Sequence, residues 1–99
     1  MISPTIGRRV WFWPSQQDLG KTDAKPISLM QRFTDQPFDA GVCCVWNDRM
    51  VNLTVADHGG EMHERRSVTL VQEGDPIPQG QSYATWMPYQ QGQAKKEAA

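Results

Sequence analysis

Cysteine is scarce in this 99-residue chain: there are two, and they are adjacent, Cys43 and Cys44. On an extended strand adjacent side chains leave on opposite faces, so these two are poorly placed to bond to each other. No disulfide framework and no CxxC pair is available. The expectation is two small reduced residues, one of them in the core, in a compartment resembling the cytosol. Long apolar runs are also missing. The longest, Gly41–Trp46, is far short of the roughly 18 residues that a membrane-spanning helix needs. The opening Met1-Ile2-Ser3-Pro4-Thr5 lacks the basic start and apolar stretch of a signal peptide. Neither sign of charge dominates: ten Lys+Arg face eleven Asp+Glu, a net charge of -1. A strong nonspecific nucleic-acid binder needs an excess of cations to displace counterions from phosphate, so that function is disfavoured.

Catalytic motifs are absent too. There is no Gly-x-Ser-x-Gly elbow, no phosphate-cradling glycine loop, and no base placed by sequence beside either cysteine. The segment Asp57-His58-Gly59-Gly60-Glu61-Met62-His63-Glu64 crowds two histidines among carboxylates. Its histidines are five apart across a Gly pair, which matches no established ligand spacing, so neither a metal nor another cofactor is assigned. Most of the aspartates lie at expected turns. The chain therefore reads as non-catalytic.

Turn formers and aromatics are plentiful. Seven Pro, eight Gly and four Trp, with a mean hydropathy of -0.61, describe a short-stranded, loop-rich domain with a modest core. Residues 7–13 read as a first strand: Val10 and Phe12 share one face, Trp11 and Trp13 the other. Pro14 ends it, because proline cannot donate to a ladder. A polar stretch over 15–37 follows as a long loop, within which Ile27–Phe33 suits a helical turn or a short strand. Residues 40–46 and 49–56 read as a hairpin about an Asn47-Asp48 turn, both residues tolerating positive φ. Val51, Leu53 and Val55 alternate with polar neighbours and are predicted core, together with Val42, Val68 and Leu70. The Asp57–Gly60 turn leads to a polar strand over 61–66, continued by 67–71. A Gly/Pro loop and a last strand over 83–86 complete a domain spanning 1–89. Residues 90–99 are read as a flexible tail or a short helix.

Five or six short strands with tight hairpins predict a mainly β fold, a small antiparallel barrel in which closure removes exposed edges. The run from Phe38-Asp39-Ala40-Gly41-Val42 through Asp57-His58-Gly59-Gly60 to Val68-Thr69-Leu70 resembles the central hairpins of SH3-like and Tudor-like barrels. The acidic first loop and aromatic motif set of peptide-binding SH3 domains are not present, so that family's proline-peptide function is not carried over. Three further stretches, 45–53, 67–75 and 86–90, together look like small uncharacterised proteins of tailed bacteriophages and prophages. That likeness implies a phage gene expressed in the host bacterial cytoplasm, and it implies no activity.

The aromatics point to a binding surface. Trp11, Trp13, Trp46, Tyr83, Trp86 and Tyr89 are too many large rings for so small a core, and arginines beside them would complete a contact surface. Trp, Tyr and Arg concentrate interface energy. Trp11, Trp13, Trp46, Trp86 and Tyr89, with Arg8, Arg49 and Arg65, are the candidate contact set of a non-catalytic module acting on a host or phage protein. Two alternatives stand beside it. One is a counter-defence protein that sequesters a nucleotide-type small molecule, with a homo-oligomer possible. The other is a nucleic-acid-binding barrel.

Overall fold

The computed structural model describes residues 1–15 and 36–98. Its elements run β1 (Arg9–Trp13), β2 (Phe38–Asn47), β3 (Met50–Ala56), β4 (Met62–Val71), β5 (Tyr83–Thr85) and α1 (Pro88–Ala98). The strands close into a barrel in the order β1-β2-β3-β4-β5. Neighbours are antiparallel except β4 and β5, which run parallel with Leu70 opposite Ala84. The predicted mainly β fold, a small SH3-like barrel, is the fold seen, with one parallel seam. The long first loop expected over 15–37, including Ile27–Phe33, lies almost wholly outside the described residues.

Alternation explains the core. Val10 and Phe12 of β1 point inward against Phe38, Ala40 and Val42 of β2, and Val51, Leu53 and Val55 come from β3. Val68, Leu70 and Ala84 close the barrel. All six residues predicted as core are buried. Cross-strand pairs such as Ala40–Val55 and Val42–Leu53 put matching inward positions side by side.

Register is corrected at three bulges. On β2 the ladder shifts between Val42 and Cys44 and again between Val45 and Asn47. The first shift turns both cysteines out of the core, Cys43 exposed and Cys44 partly so, against the expectation that one is core. The second makes Asn47 pair with Met50, so the turn is Asp48-Arg49 rather than Asn47-Asp48. Neither turn residue has positive φ; Ser67, at φ 53, is the sole non-glycine in that region among the described residues. Asn47 Oδ1 instead accepts the Arg49 backbone N–H at 2.8 Å, an Asx-type closure. The third bulge, in β4, sets Arg66 and Ser67 against Asn52 and joins the two expected strand pieces into one.

Both ends of the chain are tied to the barrel. The first strand is shorter than predicted because Gly7, at φ 92, turns the chain ahead of it. At the far end, residues 88–98 form a helix where a flexible tail was one expectation. Pro88 opens it with a φ preset for helix. Gln90 Oε1 accepts the Met87 N–H at 2.8 Å, and Gln90 Nε2 donates to the Arg9 carbonyl at 2.9 Å. The first bond caps the helix and the second fastens it to β1.

Candidate functional site

The aromatic residues divide between core and surface by strand parity. Trp11 and Trp13 leave the outer face of β1, each half-buried, while Trp86 is 2% exposed. Trp86 is therefore core rather than a contact residue, because the chain after β5 turns inward and places the indole beneath the barrel rim. Its Nε1 donates to Gln72 Oε1 at 3.2 Å. The same Gln72 oxygen accepts the Ile2 N–H at 3.1 Å, and its Nε2 donates to the carbonyls of Ile2 at 2.9 Å and Asp48 at 2.6 Å. One buried amide thus joins the N-terminal segment, the β2–β3 turn and Trp86 with every donor used.

Closure of β1 against β5 builds an aromatic wall. Trp13 lies opposite Tyr83 and Trp11 opposite Thr85. The Trp13 and Tyr83 rings stack with centroids 6.3 Å apart, and Trp11 meets Trp13 edge-on at 6.4 Å. Trp13 Nε1 donates to Thr85 Oγ1 at 3.1 Å, which fixes the indole. The wall forms one side of an open groove of ≈ 380 Å³, completed by Glu73, Asp75 and Ile77 of the β4–β5 connection and by Pro88 and Gln91 of α1. Ile77 is 48% exposed there.

The other predicted contact residues do not join this wall. Trp46 is 60% exposed on β2, seven positions beyond Asp39, the partner of Trp11, or roughly 20 Å along the strand. Its Nε1 donates to Asn52 Oδ1 at 3.0 Å, and that oxygen also accepts the Ser67 N–H at 2.8 Å. Asn52 therefore holds both the bulge and the ring. Arg49 forks onto Asp75 at 2.9 and 3.2 Å. That hydrogen-bonded pairing raises the arginine pKa and, with the Gln72 N–H, lowers that of Asp75 below the usual carboxylate range. Arg65 Nη1 donates to the Glu64 carbonyl on β4 at 2.7 Å. Arg8 stands on the opposite side of α1 with Tyr89, its Cζ 5.9 Å from the Trp86 ring centroid. Tyr83 and Ile77 were missing from the predicted set. Tyr83, counted among the surplus rings, joins Trp11 and Trp13 only once β5 pairs with β1.

The histidines separate as well. Asp57 Oδ1 accepts the N–H groups of Gly59 and Glu61, both at 2.9 Å, and Oδ2 accepts from His63 Nε2 at 2.8 Å. Asp57, Glu61 and His63 bring ligand-type atoms within 4.8 Å of one another, closer than the spacing suggested. A cation there would have to displace the His63 bond from an aspartate that already organises the turn. His58 faces away from this pair, donating through Nε2 to the Pro37 carbonyl at 3.3 Å and lying 4.3 Å from Phe38 between ring centroids.

Comparisons of the chain with models of known protein families, with curated proteins and with solved structures each find no match. No helix is long and apolar enough to cross a membrane among the described residues.

Proposed function

We propose that this protein is a non-catalytic binding module that takes an extended segment of a partner protein along the Trp11–Trp13–Tyr83 groove. The observation that carries the reading is the fixed stack: three large rings, one hydrogen-bonded, line an open channel between β5, the β4–β5 connection and α1. Preset aromatic surfaces bind with little loss of side-chain freedom. Among the described residues the charged side chains of the lining are Glu73 and Asp75, and Asp75 is paired with Arg49. The rest of the lining is rich in aromatic and aliphatic surface at Trp11, Trp13, Tyr83 and Ile77, so the groove suits apolar side chains. The likeness of three stretches to phage proteins supports a partner of phage or host origin. Binding is favoured over catalysis because the buried Asp57–His63 pair is occupied in turn structure rather than facing the groove.

The test is selection of random 12-residue peptides on the immobilised protein. Enriched peptides should share apolar positions. Trp13→Ala or Tyr83→Ala should weaken them by about 30-fold, the effect of a hot-spot residue near 2 kcal/mol, while the domain stays folded. Enrichment of peptides with no shared apolar positions, or affinity indifferent to both substitutions, would overturn the proposal.

A further inference from the structure

We infer that a second pocket, on the other side of α1 from the aromatic groove, binds a small phosphate-bearing ligand with a flat ring, of mononucleotide type. The pocket has a volume of ≈ 320 Å³ and is walled by the N-terminal segment, Arg8 and the first turns of α1. That volume falls at the lower end of the roughly 300–1,000 Å³ seen for small-molecule sites.

Charge carries the inference. Among the described residues no Asp or Glu lines this pocket, and Arg8 is its one arginine. Neighbouring arginines are matched: Arg9 forks onto Asp39 at 3.1 and 2.6 Å, Arg49 onto Asp75, and Arg66 lies 3.8 Å from Glu64. Arg8 has no carboxylate partner among the described residues. An arginine fork without an acid beside it, in a cavity whose described lining holds none, is complementary to a phosphate, which accepts two parallel N–H bonds.

The arginine is also held in place. The Arg8 N–H donates to the Thr5 carbonyl at 3.1 Å, and the Arg8 carbonyl accepts from Val42 at 2.9 Å. Its guanidinium rests over the buried Trp86 ring, a cation–π contact that fixes the side chain without neutralising it. Tyr89, 70% exposed, borders the same cavity. A phenol ring left in solvent beside a fixed cation offers a stacking face for a base whose phosphate reaches the arginine. Gln90 is not available to the ligand, since both ends of its amide are used in fastening α1. Ser3 and Gln93 supply further polar groups on the wall.

Calorimetric titration of the full chain with AMP, GMP, CMP and UMP tests this. At least one should bind saturably at one site, and the corresponding nucleoside, lacking phosphate, should bind about tenfold or more weakly. Arg8→Gln should cost about tenfold or more, Arg8→Lys less, and Tyr89→Ala should weaken binding through the lost stack. Tyr89 is exposed enough that its replacement tests the site even if Arg8→Gln disturbs the fold. Four nucleotides without saturable binding below about 1 mM, equal affinity for nucleoside and nucleotide, or affinity unchanged in both Arg8→Gln and Tyr89→Ala would each overturn the inference.

Discussion

Replacing Gln72 by alanine should cost more than any substitution of an exposed tryptophan, although Gln72 is polar and sits in a loop. Its side chain makes four hydrogen bonds, to the Ile2 N–H and carbonyl, the Asp48 carbonyl and the Trp86 indole. Each such bond contributes about 0.5–1.5 kcal/mol net. The Ile2 and Asp48 groups lie close enough to the surface to regain water, so their loss falls at the low end. The indole N–H cannot, because Trp86 is 2% exposed, and a buried donor without a partner costs about 1–3 kcal/mol. The expected total is about 2–4 kcal/mol. For a domain of this size each kcal/mol lowers Tm by roughly 4–8 °C, giving a drop of roughly 8–32 °C. Urea unfolding followed by tryptophan fluorescence measures it. Gln72→Glu should be at least as damaging at neutral pH, since a carboxylate offers no donor to either carbonyl. A loss below about 0.5 kcal/mol for Gln72→Ala, the range of neutral surface changes, would refute the reasoning.

Leu53→Ala, at a fully buried β3 position, should cost about 2–5 kcal/mol in the same assay. Asn52→Ala removes the acceptor shared by Trp46 and Ser67. It should destabilise by about 1–3 kcal/mol and shift the Trp46 indole proton resonance, whereas Trp46→Ala should leave stability within about 1 kcal/mol. Asp75 has its pKa lowered chiefly by the Arg49 hydrogen bond and then by the Gln72 N–H. Its stabilising contribution is therefore complete above the ordinary carboxylate value near 3.9 and is lost as pH falls through the lower folded value. Asp75→Asn should flatten the acid limb of stability between about pH 5 and pH 2, as followed by circular dichroism.

The barrel was legible because its strands alternate strictly where one face is buried. Val51, Leu53 and Val55 announce their side without help from the rest of the chain. Local deviations were not legible. The bulges at β2 follow from fitting nine residues of β2, Asp39–Asn47, against seven of β3, which periodicity within one strand cannot show, and so the turn and one of the two cysteines were misplaced. Trp86 was read as surface because the count of rings exceeded the apparent core. Its burial depends on Gln72, a residue whose role is set by three distant segments meeting around one amide. The contact set failed to converge for a similar reason. Residue type grouped Trp with Arg, while closure of β1 on β5 groups Trp11 and Trp13 with Tyr83 and leaves Trp46 and Arg65 elsewhere.

The central claim is that the contact surface is the β1–β5 groove. Amide chemical-shift mapping tests it directly, with the full chain titrated by a peptide from the selection described above. The account predicts that perturbations cluster on residues 11–13, 73–77 and 83–85, with the Trp11 and Trp13 indole protons moving together. Perturbations centred on the Trp46 hairpin or on the outer face of β4, with the groove silent, would contradict it.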